Sequence, residues 1–431
     1  IALYAGAIGV ASGSNFLSVP LLLSLIGTTG FAAWALVEPL LLIFVPIAGI
    51  GMNVGVLLLA AQDSKPSDAL NQLTLSHCGS TALISLVCAA IVATNWSLEV
   101  AALTGAIVFF EGVLLLFSSF WRATNAPLKF AAFEGGRTLA ITITLAICLA
   151  YSSSYISTME DYLQLRLNAG VVAVGLAFVI VRPSLRFDKA ATLKAIRFGL
   201  PIVAASMLVA LLTTVDRYAL SFFVGDQEIA AYVAHVKIVQ VLGTTLTPFF
   251  TWFAPIAIRR IPEGETSHKF FAATFYIFMS VNLAVTGIFW ILTPLLWPYI
   301  FPSVVYEPVL FFILLIGMML FAAGNPVSLA TLREGKTWLA PVATLVNVLI
   351  AAVACLVFVS LAGPAGAAFG KLLGFGSYSL ILGIMTVRAL KLKYPLQRIS
   401  IMSLLMIGIM IYLFSVMDLA QGPPVGSARD P

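Results

Sequence analysis

The chain has 431 residues, of which 61% are hydrophobic and 10% are charged, and its formal net charge is +5. A soluble domain is nearer half apolar and a quarter charged. This composition excludes a soluble globular protein, because a water-soluble fold could not bury so much apolar side chain. The length allows about a dozen membrane helices of about 20 residues each. The long apolar runs lack the period-two alternation of spanning strands.

Apolar segments predict thirteen spans in chain order, in an all-α polytopic membrane protein with about 12–13 transmembrane helices. They cover residues 1–26, 31–58, 74–94, 99–120, 128–151, 162–181, 198–224, 229–257, 270–297, 307–331, 337–360, 364–387 and 397–416. The tail of the second span, from Gly49 to Ala60, is predicted to lie along the membrane. Several prolines fall within spans, where they kink membrane helices and free backbone groups.

The positions of the basic residues predict the orientation. With the N-terminus in the cytoplasm, 17 of the 23 Lys and Arg residues fall in cytoplasmic connections and none in the outer ones. This distribution follows the positive-inside rule. The outer connections are all short, which leaves no room for an external catalytic or receptor domain. The sequence therefore favours a transporter over an enzyme.

The chain divides near its middle into two similar halves. Residues 1–181 and 198–388 each hold six predicted spans, residues 182–197 form a basic cytoplasmic linker, and residues 397–416 form an extra span. A shift of 198 residues places Gly27 on Gly225 and Trp34 on Tyr232. Internal repeats are typical of transporters, in which the substrate path runs between the repeats. We therefore expect two six-helix lobes with a path between them.

Charged residues within the predicted spans are the strongest functional signal, because a charge at mid-membrane costs about 2.5–3.5 kcal/mol. Such residues face the bundle interior or a watery cavity. They are Glu38, Glu111, Glu134, Arg137, Arg166, Asp216, Arg217, Lys237 and Lys371, together with His235. The five cations and four acids predict a slightly basic polar lumen, suited to an anionic headgroup such as a diphosphate.

Helical spacing suggests how some of these residues are arranged. Glu134 and Arg137 are three residues apart and are predicted to form an ion pair. Glu111 has no obvious local partner, so we expect a protonatable or substrate-facing group there. Asn15 is the most polar residue of the first span.

Residues with metal-binding potential form no recognisable pattern. The three histidines, at 77, 235 and 268, are spread over different regions, and Cys78, Cys88, Cys148 and Cys355 all lie in apolar segments. We therefore expect no metal, no cofactor and buried, structural cysteines. Topology already accounts for the basic residues, so nucleic-acid binding is not expected.

Three stretches resemble a known family. They are residues 27–36 (GTTGFAAWAL), residues 198–201 (FGLP), and Asp216-Arg217-Tyr218 followed by Gly225 and residues 229–232 (IAAY). They look like helix openings and turns of the polysaccharide exporters, the O-antigen-type lipid-linked oligosaccharide flippases of the multidrug/oligosaccharidyl-lipid/polysaccharide exporter superfamily. The thirteenth predicted span departs from the family's usual twelve.

The resemblance implies a protein of the bacterial cytoplasmic membrane that moves an undecaprenyl-diphosphate-linked oligosaccharide to the outer leaflet by alternating access. This activity would serve surface polysaccharide, including O-antigen and lipopolysaccharide, biosynthesis. It also implies glycosyltransferases and a polymerase as partners, besides membrane lipid. On this reading the substrate-binding residues are Arg217, Lys237, Arg166, Asp216, Arg137, Lys371 and Asn15, with Asp216 orienting Arg217. Glu111 and Glu38 are the ion-coupling candidates.

A multidrug/cation antiporter of the same superfamily is the main alternative. Such proteins are expected to rely on an acidic residue in the first helix, and residues 1–26 contain none. A cationic-drug site would also favour a more acidic lumen. A glycan polymerase or ligase is a further alternative, but polymerases need a large outer loop.

Overall fold

A computed structural model describes residues 2–62, 66–151, 154–260, 265–333, 338–390 and 408. Within these residues the chain forms eleven α-helices and no strands. They are α1 (Ala2–Ala48), α2 (Met52–Gln62), α3 (Pro66–Val92), α4 (Leu98–Ala123), α5 (Pro127–Ala150), α6 (Met159–Val181), α7 (Lys189–Ser221), α8 (Asp226–Arg260), α9 (Glu265–Ile300), α10 (Pro308–Arg333) and α11 (Leu339–Leu390).

Helix α1 contains the first two predicted spans and breaks between them. A straight helix of its 47 residues would be about 70 Å long, more than twice the thickness of the hydrocarbon core of a bilayer. Gly27 has φ 69° and ψ 179°, which is non-helical and in a region that glycine adopts without steric cost. Gly27 therefore ends the first arm of α1 and lets the second arm start in a new direction.

Helix α11 is a hairpin of two arms that meet at Gly363. Gly363 has φ 52°, and Pro364 follows at the start of the second arm, where a missing N–H is harmless. The arms run antiparallel and very close together: a Cβ on Gly366 would meet the carbonyl oxygen of Phe358, and one on Gly370 would meet Cys355. Small residues at four-residue spacing allow such close approach of membrane helices.

The prediction of an all-α polytopic membrane protein is confirmed. Among the described residues, nine helices are long and apolar enough to cross a membrane, and two of them, within α1 and α11, hold two predicted spans each. The chain turns at residues 49–51 before α2, so the tail of the second predicted span is a separate helix. The thirteenth predicted span, 397–416, lies outside the described residues apart from position 408.

Successive helices are joined by short connections, so alternate connections share an end of the bundle. We call one end the Gly27 end; it includes Gly27, residues 93–97, 151–158, 222–225 and 301–307, and the bend at Gly363. Val224 and Gly363 are in contact there. The opposite end, which includes residues 49–51, 124–126 and 182–188, is called the linker end. We call residues 2–181 the first half and residues 189–390 the second half.

The described residues form two hydrophobic cores. The larger contains residues of both halves, such as Phe31 and Leu41 of α1 with Tyr232 and Leu242 of α8, and in the second half it continues to Leu382, near the linker end. The smaller, around Phe117 and Trp121, is built from α2 to α6 and the first turns of α7. The two halves therefore share one continuous apolar core, which holds them together at the Gly27 end.

Helix α7 connects the halves. It begins at Lys189, so the last nine residues of the predicted linker are helical. Its first turns pack on the first half: the backbones of Gly51 and Gly199 touch, and the hydroxyls of Ser76 and Thr192 are 2.8 Å apart. Its later turns pack on α11 of the second half, where Gly374 lies against Leu212.

Candidate functional site

An ion triad joins the two halves within the membrane-spanning region. Glu38 on the second arm of α1 accepts hydrogen bonds from Arg217 of α7 and Lys237 of α8. The Arg217 Nη1 to Glu38 Oε2 distance is 2.7 Å, and Lys237 Nζ lies 2.5 Å and 2.6 Å from the two carboxylate oxygens. The Arg217 side chain is 0% exposed. We call Glu38, Arg217 and Lys237 the junction triad.

Further contacts across the halves surround the junction triad. Arg217 Nη1 also donates to the carbonyl oxygen of Ala35 at 3.3 Å, and the Tyr218 hydroxyl donates to the carbonyl oxygen of Leu36 at 3.1 Å. The Lys237 ammonium lies 4.9 Å from the centre of the Trp34 ring, within the range of a cation–π interaction. One turn of α1 therefore receives most of the polar contacts between the halves.

A second triad, again one carboxylate with two cations, lies within the first half. Glu111 of α4 accepts a hydrogen bond from Arg137 of α5 at 2.6 Å. It also accepts two from Arg166 of α6, at 2.7 Å from Nε and 2.8 Å from Nη2. This bidentate geometry is the strong form of an Arg–carboxylate pair. We call Glu111, Arg137 and Arg166 the first-half triad.

A buried ion pair lies within the second half. The Lys371 ammonium is 2.7 Å from Asp216 Oδ2 and 2.9 Å from the carbonyl oxygen of Thr213. The Tyr232 hydroxyl donates to the same carboxylate oxygen at 2.5 Å. Asp216 is 0% exposed. This pair ties the second arm of α11 to α7 and α8.

Two expected arrangements were wrong. Arg137 bonds Glu111 rather than Glu134, and Glu134 instead accepts a hydrogen bond from Ser118 at 2.6 Å. Glu111 thus has two cationic partners. Asp216 does not orient Arg217: successive residues on a helix point about 100° apart, and each finds its partner on a different neighbouring helix.

Two other polar residues fall outside these groups. Asn15 is exposed on the first arm of α1 and belongs to neither triad. His235 is a packing residue: its Nε2 accepts the backbone N–H of Glu307 at 3.0 Å, its Nδ1 bonds the Ala231 carbonyl at 2.8 Å, and its ring lies 4.1 Å from that of Trp297. In the described part of the chain, no cluster of three or more His, Cys, Asp or Glu could hold a metal ion.

Sequence reasoning did not identify the aromatic side chains of the site. Trp34 and Tyr162 lie between the two triads, with ring centres 5.9 Å apart in an edge-to-face arrangement. Arg166 follows Tyr162 by one helical turn, and Lys237 lies over Trp34. Tyr232 occupies the position equivalent to Trp34 in the repeat and also contacts a buried charge. The aromatic position shared by the two repeats was therefore a usable signal.

Each triad carries one positive charge more than its carboxylate neutralises. Such surplus charge in a desolvated site attracts an anion. Arg217 also has free donors: within the described part of the chain, its Nε and Nη2 are buried and have no hydrogen-bond partner. These two atoms form one edge of the guanidinium, the geometry that matches two oxygens of a phosphate or carboxylate. The free edge of Arg217 therefore presents two donors suited to an oxyanion.

Solved structures of transporters have the same fold. The lipid II flippase MurJ in an inward closed conformation superimposes with a TM-score of 0.68 at 13% identity, covering 96% of this chain and 93% of that one. An inward-facing multidrug resistance MATE family transporter of the MOP superfamily gives 0.63 at 12% identity, covering 90% and 94%. A MOP superfamily transporter from Pyrococcus furiosus, described as having a binding pocket of reverse polarity, gives 0.60 at 12% identity, covering 90% and 96%. At these identities the likeness shows the fold alone.

Comparison by sequence identifies the family. No curated protein matches the chain significantly. The model of a family described as "Polysaccharide biosynthesis protein" matches residues 1–258, which is more than half of the chain. This match confirms the resemblance to the polysaccharide exporters that the short motifs indicated. The chain therefore belongs to the polysaccharide biosynthesis protein family.

Proposed function

We propose that this protein is a flippase that moves an undecaprenyl-diphosphate-linked oligosaccharide from the inner to the outer leaflet of a bacterial cytoplasmic membrane. The lipid tail can stay in the bilayer during this movement, whereas the diphosphate and the sugar hydroxyls cannot cross hydrocarbon without polar partners. A path between two halves that rock against each other supplies those partners. The product would serve the synthesis of a surface polysaccharide such as O-antigen.

The observation that carries the proposal is the excess of cations at the junction triad. Arg217 and Lys237 face a single carboxylate at the boundary between the halves, and Arg217 keeps a free edge of two donors. The first-half triad adds a second surplus charge from Arg166 and Arg137. Membership of a polysaccharide biosynthesis family supports a sugar-linked anion over other anions.

Lys371 and Asp216 have a structural role in this proposal, because they neutralise each other inside the second half. Glu38 and Glu111 act first as counter-ions of the cations, and their part in coupling to an ion gradient stays a prediction. Association with glycosyltransferases and a polymerase is likewise a prediction from the family resemblance.

Antiport of cationic drugs is the alternative. A cationic substrate needs an acidic group that is free to receive it. Of the carboxylates within the predicted spans, Glu38, Glu111 and Asp216 are each bonded to Lys or Arg, and Glu134 accepts a hydrogen bond from Ser118. The fold itself does not discriminate, since a multidrug transporter shares it. The charge arrangement therefore favours the flippase.

The test is deletion of the gene in its native host, followed by analysis of surface glycan and lipid-linked sugars. We expect loss of surface polysaccharide and accumulation of undecaprenyl-linked units on the inner leaflet. Wild type should restore export and Arg217→Ala should not, whereas Gln227→Ala, at an exposed residue outside the candidate site, is the control that should restore it. Normal glycan together with new sensitivity to cationic drugs or dyes would instead establish the antiporter.

A further inference from the structure

Glu38 is the only acidic residue of α1 and provides the acidic group in the ionic contact between the halves in the described part of the chain. Both of its carboxylate oxygens are bonded to residues of the second half. The other two ion groups, Glu111 with its arginines and Asp216 with Lys371, each stay within one half. The junction triad is therefore the group whose breakage would remove the ionic contacts between the halves at this level.

The cations that hold Glu38 are also the best anion donors of the site. Arg217 has already committed Nη1 to the first half, through Glu38 and the Ala35 carbonyl, while its Nε and Nη2 are buried and free. An oxyanion on that free edge adds negative charge beside the Glu38 carboxylate. Like charges in a desolvated site repel strongly, so the anion and Glu38 compete for the same cations.

We propose that a phosphate-type oxyanion on the Nε–Nη2 edge of Arg217 displaces the Glu38 carboxylate from Arg217 and Lys237, and that this exchange opens the Gly27 end of the protein. Without the anion, the Glu38 carboxylate binds Arg217 and Lys237, and the halves stay closed on their shared core. With the anion bound, the ligand neutralises the two cations. Helix α1 then loses the ionic contacts of Glu38 with Arg217 of α7 and Lys237 of α8.

Both states neutralise Arg217 and Lys237, and opening exposes the released Glu38 carboxylate to water, which limits the electrostatic cost of the exchange. The ligand shifts the population to the extent that it binds the open form more tightly than the closed form. The inference rests on the proposed function in that the substrate headgroup is the natural oxyanion. It adds that this headgroup acts as the signal for opening as well as the cargo.

The experiment measures the distance between the halves at the Gly27 end. Asn95, in the connection before α4, and Gln227, in the first turn of α8, are both exposed. Each is changed to Cys and spin-labelled in a chain whose four native cysteines are alanine. Double electron–electron resonance is then recorded in phosphatidylcholine nanodiscs, with sodium chloride, with sodium pyrophosphate at equal ionic strength, or with undecaprenyl diphosphate in the bilayer.

We expect a single short distance in chloride and a second, longer distance with diphosphate, with at least about a twofold rise in the long-distance population. Glu38→Gln should show the long distance without any diphosphate, because the neutral amide cannot hold two cations. Glu111→Gln is the matched control: it removes the same carboxylate from a triad of one acid and two cations that stays within one half, and, although it lowers the stability, it should keep the single short distance in chloride.

The outcomes distinguish free diphosphate from a lipid-linked diphosphate as the source of the anion, and they test the exchange separately from the flippase function. A response to both forms of diphosphate shows that the headgroup chemistry is sufficient, and a response to undecaprenyl diphosphate alone shows that the lipid must deliver it; either supports the exchange. A wild-type protein that responds to pyrophosphate no more than to chloride, and to undecaprenyl diphosphate not at all, overturns it even if Glu38→Gln fails to fold. A closed Glu38→Gln protein overturns it as well.

The glycan assay gives an independent answer about function. Diphosphate-driven opening in a protein whose deletion leaves surface glycan normal would retain the exchange and remove the proposed function. Loss of glycan on deletion, with distances that never change, would retain the function and remove the exchange.

Discussion

The carboxylate of Glu38 and the guanidinium of Arg217 are 179 residues apart in the chain and 2.7 Å apart in the structure. This contact joins the second arm of α1 to α7 and thereby one half of the protein to the other. The sequence predicted Glu38 as an ion-coupling residue and Arg217 as a substrate-binding residue. In the structure the two are partners in one ion pair.

The first prediction concerns the first-half triad. Glu111→Gln leaves Arg137 and Arg166 buried without their carboxylate, so we expect a loss of about 3 kcal/mol, the usual cost of removing one partner of a buried ion pair. Arg166→Gln should cost a similar amount. The double variant should lose much less than the sum, because each change removes the same bidentate contact. Denaturation in mixed micelles measures all three, and strictly additive losses would contradict the pairing.

The second prediction concerns Asp216 and Lys371. Asp216→Asn and Lys371→Met should each lower the thermal stability markedly, since each leaves a buried charge without its partner. Combining the two should recover most of the loss, because no net charge then remains and the amide oxygen introduced by Asp216→Asn would still accept from Tyr232. Thermal unfolding of the purified proteins followed by size-exclusion chromatography is the measurement. A double variant less stable than both single ones would contradict the prediction.

The third prediction concerns the glycines of α11. A Cβ on Gly370 would lie 2.7 Å from the backbone of Cys355, whereas one on Gly383 would meet no atom within 4 Å. Gly370→Val should therefore separate the two arms and prevent accumulation of folded protein. Gly383→Val, in the same helix, should accumulate as wild type does. Fluorescence-detected size-exclusion chromatography of fusion proteins compares the two directly, and equal yields would contradict the prediction.

The fourth prediction is a pH dependence at Glu307, in the connection between α9 and α10. Partial burial, and then the nearby Glu228 carboxylate, raise the pKa of Glu307. An acid whose pKa is higher in the folded state destabilises that state once pH rises above the unfolded pKa, and the penalty is complete above the folded pKa. Glu307→Gln should therefore raise the melting temperature slightly at about pH 8 and leave it unchanged at about pH 4.

The size of this effect is small because Glu307 is largely exposed and solvent screens its charge. The measurement is a melting curve of each protein at both pH values in the same detergent. A difference between the variants that is the same in acid and in base would show that the carboxylate charge is not responsible.

Composition and pattern alone determined that this is a helical membrane protein, and they located most of its spans. They did so because lipid requires long apolar segments with internal backbone hydrogen bonds, and this requirement is local in the chain. The same reasoning identified the buried charges, since a charge in an apolar segment is visible without any structure. Gly27, which precedes the second predicted span, likewise marked the bend in α1 from sequence.

Only the tertiary structure decided which charges meet. Glu134 and Arg137 have suitable spacing on one helix, yet Arg137 reaches across to Glu111 because α4 lies against α5 and α6 at that level. Asp216 and Arg217 are adjacent in sequence and point to different neighbours, one to Lys371 and the other to Glu38. A buried ion pair depends on which helices are neighbours and on how each is rotated about its axis, and both are set by packing of the whole bundle, which no local pattern encodes.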